Sequence, residues 1–146
     1  MSTWDTFGAA LAAQLAMLTP GSVLIVAESR ARSPRYAQFR RLDHASSAEL
    51  VCESALDESL RAGEAGLRVI AEAGWQAPED GLPGNWWIDT PEPASRARHR
   101  AVAEMVVTGL RDAFGIPAPE ALTYRAWNEA TGTRALDLPL LGLARA

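Results

Sequence analysis

Lysine is absent from this chain of 146 residues, so apart from two histidines all of its basic residues are arginines, 14 in number. The missing lysines and the abundant alanines indicate a GC-rich genome and codon bias, from which no function follows. A single cysteine, Cys52, excludes an internal disulfide framework and is typical of a reducing cytoplasm. The net charge of −4 argues against nucleic acid as the main partner.

Long apolar runs are missing as well. No stretch of about 18 apolar residues occurs, and the N-terminus lacks the basic region and uninterrupted apolar segment of a signal peptide. We therefore expect no membrane insertion and a cytoplasmic location. The length predicts a single domain over residues 1–146, and a hydrophobic content of 48% supplies enough apolar material for its core.

Signatures of catalysis and metal binding are also lacking. The two histidines, His44 and His99, lie at no metal-ligand spacing from each other or from Cys52. Glycine-rich nucleotide loops, the zinc-protease helix motif and the hydrolase serine elbow do not occur. Cys52 is predicted to be a buried, unreactive residue within a strand. We expect no enzymatic activity, no metal and no cofactor, and we keep a small enzyme as the weakest alternative.

Three successive strands are predicted over Ser22–Ala27, Arg35–Leu42 and Ala48–Ala55. The first follows the Pro20–Gly21 breaker and is apolar on both faces, which favours a buried strand. A helix can cover one of those faces. The other then needs a second layer or a partner subunit, so the sequence suggests a homodimer.

The second strand has mixed faces, which suit an antiparallel sheet with one solvated side. Tyr36, Gln38 and Arg40 lie on one face and combine an aromatic ring with hydrogen-bonding and cationic groups. We predict that they bind a partner protein, either as an added strand or as a helix in a groove. The alternative is that they only make the sheet soluble.

Two adjacent tryptophans mark a fourth strand, predicted over Asn85–Asp89. Neighbouring residues of a strand point to opposite faces, so Trp86 and Trp87 cannot both lie under one helix. One is predicted to be core, and the other is predicted to join the partner-binding surface. A further strand is predicted over Leu122–Trp127, followed by an extended apolar segment over Leu136–Leu143.

Three helices are predicted over Thr3–Leu18, Asp57–Ala73 and Pro91–Phe114, and the second can break near Gly63. The third is predicted to start at a Thr90 cap with Pro91 in its first turn. Its first half carries four basic side chains, which form either a solvated face or a site for an acidic partner. They are Arg96, Arg98, His99 and Arg100.

The order helix, three strands, helix, strand, long helix and tail resembles that of the TY-Chap families. These are predicted peptide-binding chaperones similar in fold to type III secretion chaperones and YbjN-like proteins. The resemblance covers roughly Thr3–Gly115. It is carried by Trp4-Asp5-Thr6-Phe7, Pro20-Gly21, Arg35-Tyr36-Ala37-Gln38-Phe39, Ala48-Glu49-Leu50-Val51, Leu67…Ala73-Gly74-Trp75…Pro78 and Asn85-Trp86.

The resemblance implies an α+β fold, an antiparallel sheet with α-helices packed on it in the order α-β-β-β-α-β-α. It implies a chaperone-like core over residues 1–116 and a C-terminal extension over 117–146 that packs on this core. It also implies paired protomers and the binding of a protein segment rather than turnover. The partner-binding residues that we predict are Tyr36, Gln38, Arg40, Trp86 and Trp87. The alternative is a structural or assembly homodimer without chaperone activity.

Overall fold

The computed structural model describes residues 3–29, 34–79, 84–132 and 134–146. Within these ranges, three α-helices and six strands make up the fold. The helices are α1 (Trp4–Met17), α2 (Gly63–Ala73) and α3 (Arg96–Val107). The strands are β1 (Ser22–Glu28), β2 (Tyr36–Arg41), β3 (Ala45–Leu50), β4 (Trp86–Pro91), β5 (Leu122–Asn128) and β6 (Ala144–Arg145).

The strands form one sheet in the order β4-β3-β2-β1-β5-β6. All neighbours are antiparallel except β6, which runs parallel to β5, so the sheet is mixed rather than wholly antiparallel. The predicted α+β class and the element order are confirmed. A strand from the C-terminal part, β5, pairs along the whole of β1 and so lies inside the sheet.

Alternation along each strand builds one apolar face, on which the helices pack. Leu24 and Val26 of β1 share the core with Ala37 and Phe39 of β2, and each is almost fully buried. The helices contribute apolar side chains from their inner faces to the same core: Phe7, Leu11, Leu15, Ile70, Val102, Val106 and Leu110. The helical segment after α3 approaches the sheet closely at one point, where Gly109 lies against the side chain of Leu50 in β3. Trp4 of α1 and Met105 of α3 also pack against this core and are half-buried.

The third strand begins and ends earlier than predicted. It spans Ala45–Leu50, and a 3₁₀ turn over Glu53–Ala55 replaces its predicted second half. The turn that precedes it is correspondingly shorter, because Leu42 N donates to the carbonyl oxygen of Ala45. The prediction of a buried Cys52 within a strand is wrong, since this residue is half-buried just past the strand end.

The second predicted helix divides at its glycine. A 3₁₀ turn covers Glu58–Leu60, and α2 begins at Gly63, whose φ of +76° is a left-handed value that interrupts a continuous helix. The predicted end at Ala73 is confirmed, and Gly74 follows it with a left-handed φ of +114°.

The predicted start of the third helix at Thr90 and Pro91 is wrong. Both residues belong to β4, where they pair with Ser46 and Ala45. The helix starts at Arg96, and the Ser95 hydroxyl caps it by accepting a hydrogen bond from the backbone N–H of Arg98 at 3.1 Å. A π-helical turn over Thr108–Ala113 continues the chain from α3 to Phe114.

The C-terminal segment lies against the core, as an extended apolar stretch interrupted by a 3₁₀ turn over Pro139–Leu141. Leu138 and Leu141 are buried in the same core as the helices. The Tyr124 hydroxyl accepts a hydrogen bond from Leu138 N at 2.8 Å and contacts Asp137 Oδ1 at 3.0 Å. Within the described ranges, no helix is long and apolar enough to cross a bilayer.

Candidate functional site

The sheet face opposite the helices carries the side chains that the sequence predicts to bind a partner. The strand register places them in rows across the sheet. One row runs Trp87, Glu49, Gln38, Ile25 and Arg125, and the next runs Asp89, Ser47, Arg40, Val23 and Trp127. Tyr36 starts a third row with Ala27 and Thr123. We call this surface the solvent face, because all of its side chains except Val23 are half-buried or exposed.

Four of the five predicted partner-binding residues lie on the solvent face, and the fifth does not. Trp87 stands on its β4 edge with 36% of its surface exposed. Trp86 pairs with Leu50 and packs against the core on the helix side. Neighbouring residues of a strand point to opposite faces, so Trp86 does not belong to the candidate site on the solvent face.

Tyr36 is held in a small polar network at one end of the solvent face. The Asn85 side-chain amide donates to the Tyr36 hydroxyl at 3.0 Å and to Glu49 Oε1 at 3.2 Å. Its Oδ1 accepts from the backbone N–H of Cys52 at 3.2 Å. Asn85 thus ties together three segments of chain and helps to hold the Tyr36 ring, which is half-buried and also packs against the core.

The centre of the solvent face is covered by long side chains of the same chain. Val23 is only 1% exposed although it points away from the helices. Its cross-strand neighbours are Arg40 and Trp127, whose size accounts for the burial. The expectation that this side of β1 needs a second layer or a partner subunit is therefore wrong for Val23.

Charged groups on the solvent face are engaged only loosely. Arg40 Nη1 lies 3.2 Å from Glu129 Oε2, and both side chains are more than two-fifths exposed. The Arg125 guanidinium lies over the ring of Trp127 at 5.6 Å from its centre. Exposed pairs of this kind contribute about 0–1 kcal/mol, so either cation can turn to a ligand at small cost.

The sheet edges offer little free backbone for an added strand. On β4, Trp87 exchanges both backbone hydrogen bonds with Gln76, so Trp87, Asp89 and Pro91 direct their backbone groups outward. Pro91 has no N–H, which leaves Asp89 as the one complete unpaired residue among these three. On the other side, β6 covers Thr123 and Tyr124, and Leu136 N donates to Ala126 O. These contacts favour binding on the face over strand addition.

A second concave region lies on the helix side, between α1 and the start of α3. The cavity has a volume of about 450 Å³ and is lined by alanines and leucines of the α1 segment and by charged side chains. We call it the arginine cavity; its charged residues are Arg41, Glu92, Arg96, His99 and Arg100. Of the four basic residues predicted as a cluster on the third helix, only Arg98 faces elsewhere, where it donates to Thr90 Oγ1 at 3.1 Å.

The perturbed acidic groups belong to ion pairs rather than to a reaction centre. A forked contact with Arg35, at 2.6 and 2.8 Å, lowers the pKa of Glu28 below its ordinary value. Arg35 also donates to the carbonyl oxygen of Phe114, so the pair joins two strands to the end of the helical segment. No cluster of three metal-binding side chains occurs among residues 3–29, 34–79, 84–132 and 134–146.

Comparison with known protein families matches residues 1–128 to one model, TY-Chap3, described as T3SS (YopN, CesT) and YbjN peptide-binding chaperone 3. The chain belongs to the TY-Chap3 family. The matched region includes all three helices and β1–β5, and therefore extends past the Thr3–Gly115 range of the sequence resemblance. Comparison with curated proteins and with solved structures gives no significant match.

TY-Chap3 membership implies a peptide-binding chaperone role and suggests a protein that is not an enzyme. The sequence prediction missed the part of the solvent face that β5 supplies. Leu122–Trp127 is predicted as a strand, and alternation along it groups Thr123, Arg125 and Trp127. Its pairing with β1, about a hundred residues earlier in the chain, has no local signal.

Proposed function

We propose that this TY-Chap3 protein is a non-catalytic chaperone that holds a segment of a partner protein on its solvent face. The proposal is carried by one observation, the presence of Tyr36, Gln38, Arg40 and Trp87 on the same side of the sheet, opposite the helices. The family description supports a peptide as the class of ligand.

The dimensions and chemistry of the solvent face suit such a segment. Trp87 and Trp127 lie four strand intervals apart, a width of about 19 Å, which accepts a helix about 10–12 Å across or an extended chain. The two tryptophans provide apolar surface, Trp87 on β4 and Trp127 on β5. Gln38 and Arg40 lie between them and can bind polar groups of the segment.

Random peptides displayed on phage, selected on the immobilised full-length chain, provide ligands with which to test the proposal. Fluorescence anisotropy then gives the affinity of each selected peptide. We expect Trp87→Ala to weaken binding by about 30-fold, equivalent to about 2 kcal/mol, as at a buried aromatic anchor. Arg40→Ala should weaken it by about fivefold, because its ion pair with Glu129 is exposed.

A matched control lies on α2, where Arg68 and Glu72 are exposed. Arg68→Ala should leave the affinity within about twofold of wild type, as expected for a surface change outside the site. A benzophenone side chain at position 38 should crosslink to the bound peptide, whereas one at position 72 should not. Unchanged affinity in both Trp87→Ala and Arg40→Ala, with circular dichroism unchanged, would remove the solvent face as the site.

A second copy of the chain is the alternative occupant of the same face, as a structural or assembly homodimer without chaperone activity. The exposed ring of Trp87 at the sheet edge favours this alternative. Light scattering at micromolar concentrations tests it. A wild-type dimer that Trp87→Arg converts to a monomer would assign the face to self-association.

A cytoplasmic location is part of the proposal. It rests on Cys52, a free and half-buried thiol, which is typical of proteins kept in a reducing compartment. Fractionation of cells that express the chain from its own gene tests this location, since recovery from a membrane or an extracellular fraction would contradict it.

A further inference from the structure

The arginine cavity has the opposite charge to the whole molecule. Its lining contains three arginines, Arg41, Arg96 and Arg100, against one carboxylate, Glu92, a balance of +2 with His99 neutral. The whole chain carries −4. Positive charge is thus concentrated at this concave site, which attracts anionic groups.

Two of these arginines have free guanidinium groups. Arg41 is engaged, because it lies 3.8 Å from Glu92 and donates to the carbonyl oxygens of Leu42 and Asp43. The side chains of Arg96 and Arg100 are exposed and make no hydrogen bond or ion pair with any residue that the structure describes. Their side chains are therefore available to an external ligand.

Fold stability does not account for the positions of Arg96 and Arg100. Both lie in the first turns of α3, where the positive end of the helix dipole disfavours cations. They are four residues apart on the helix, and like charges at this spacing repel each other. An anionic ligand would relieve both effects.

The Glu92 carboxylate is already satisfied and does not neutralise the two free arginines. It is almost fully buried, accepts a hydrogen bond from Ala94 N at 2.7 Å and lies 3.8 Å from His99 Nε2. Its contacts are thus with groups of the chain itself. The lining also includes small side chains of α1, among them Ala9, Ala12 and Ala13, which accept close approach of a chain.

We propose that the arginine cavity binds an acidic polypeptide segment in extended conformation, with carboxylates at alternate positions on Arg96 and Arg100. Four residues of helix advance about 6 Å, and two residues of an extended chain advance about 6.8 Å, so the spacings match. The volume of about 450 Å³ exceeds that of a single carboxylate or phosphate and lies within the range of ligand pockets. This site is on the helix side of the sheet and does not depend on the solvent face.

An NMR titration of the ¹⁵N-labelled full-length chain tests the site. The probe is an acetylated, amidated octapeptide of alternating Glu and Ala, and its counterpart has Gln in place of Glu. We expect the acidic probe to shift the arginine side-chain N–H signals of Arg96 and Arg100 and the backbone signals of Ala9 and Ala13. The Gln counterpart should leave these signals in place.

The double variant Arg96→Gln, Arg100→Gln should bind the acidic probe about tenfold more weakly, because two charged contacts are lost. Both side chains are exposed, so the variant should fold, and its spectrum reports this directly. Arg68→Gln, a change of the same kind on exposed α2, should leave the affinity unchanged. Raising the salt concentration should weaken the interaction.

Three results would overturn the proposal. They are equal binding of the Gln counterpart, undiminished binding by the folded double variant, and inorganic phosphate that alone shifts the Arg96 and Arg100 signals as far as the acidic probe does. Trp87→Ala separates this site from the solvent face. If that variant binds the octapeptide as wild type does, the arginine cavity is confirmed as a distinct site, and if it does not, the proposed separation is wrong.

Discussion

The two faces of β2 are built from adjacent residues and have opposite properties. Ala37 and Phe39 point to the helices and are almost fully buried, whereas Gln38 and Arg40 between and beside them are half-buried on the solvent face. Phe39 packs against other apolar side chains in the core of the same chain. The Gln38 side chain has no partner among the residues that the structure describes, and Arg40 has one exposed ion pair.

The difference separates residues that hold the fold from residues that can bind. A buried apolar side chain contributes to stability through the surface it removes from water. A half-buried polar side chain contributes little to folding but keeps its hydrogen-bonding groups for a partner. Substitutions on the two faces should therefore affect different measurements, and the predictions below test this separation.

The largest contrast is expected between Phe39→Ala and Gln38→Ala. Removing the Phe39 ring, which is 3% exposed, should lower the free energy of unfolding by about 3–5 kcal/mol. Gln38→Ala should change it by less than about 0.5 kcal/mol. Urea unfolding monitored by circular dichroism measures both. A large loss in Gln38→Ala would show that the solvent face is itself structural.

The C-terminal extension should behave as part of the helix-side core. Leu141→Ala should destabilise the protein by about 2–5 kcal/mol, because this side chain is 3% exposed. Leu140, its 50% exposed neighbour, is the control, and Leu140→Ala should have an effect below about 0.5 kcal/mol. Equal effects of the two substitutions in urea unfolding would mean that the extension is not a part of the cooperative unit.

The close packing of Gly109 against the sheet predicts that one added methyl group at this position lowers the stability of the protein. A Cβ at Gly109 would lie 2.6 Å from Leu50 Cδ2, so Gly109→Ala should destabilise by about 1–3 kcal/mol despite the better helix propensity of alanine. At Gly8 the nearest atom is Val107 Cγ2 at 3.4 Å. Gly8→Ala should therefore stabilise by up to about 1 kcal/mol. Thermal unfolding of both variants checks the signs, and stabilisation by Gly109→Ala would contradict the packing.

The smallest effect on stability is expected for the ion pair between Glu28 and Arg35, and this effect depends on pH. Arg35 lowers the pKa of Glu28 from its ordinary value of 4.5. A lowered folded pKa stabilises the native state above the unfolded pKa, and this stabilisation is lost as the pH falls through the folded value. Wild type should thus be more stable than Glu28→Gln at neutral pH, and the difference should shrink below pH 4.5.

Urea unfolding at a series of pH values measures that difference. Glu64→Gln, an exposed position at the start of α2, serves as the control for the change in net charge. A gap between wild type and Glu28→Gln that grows as the solution is acidified would contradict the assigned direction of the pKa shift.

Local sequence patterns predicted which helices and strands form better than they predicted the residues at which these begin and end. The alternation of Tyr36, Gln38 and Arg40 with Ala37 and Phe39 correctly separates the two faces of β2. Thr90 and Pro91 resemble a helix start, yet they continue β4. Proline is accepted there because β4 is an edge strand and Pro91 directs its backbone nitrogen outward.

Long-range pairing also explains why the third strand begins earlier than the sequence predicts. Ser46 and Ser47 have weak strand propensity and resemble a turn, but they pair with Thr90 and Asp89 of β4 and with Arg41 and Arg40 of β2. Tertiary hydrogen bonds outweigh local propensity at such positions. The arginine cavity has the same origin, because Arg41 and Arg96 lie more than fifty residues apart in the chain and meet only where β2 approaches α3.

The sequence by itself determined the fold class, the two faces of β2 and the opposite placement of Trp86 and Trp87. Periodicity is sufficient for these features, since a strand turns every second side chain to the same side. Only the tertiary structure decided that β5 lies beside β1 and that Trp127 covers Val23. Such contacts join distant segments through packing and loop closure, and no local periodicity encodes which segments meet.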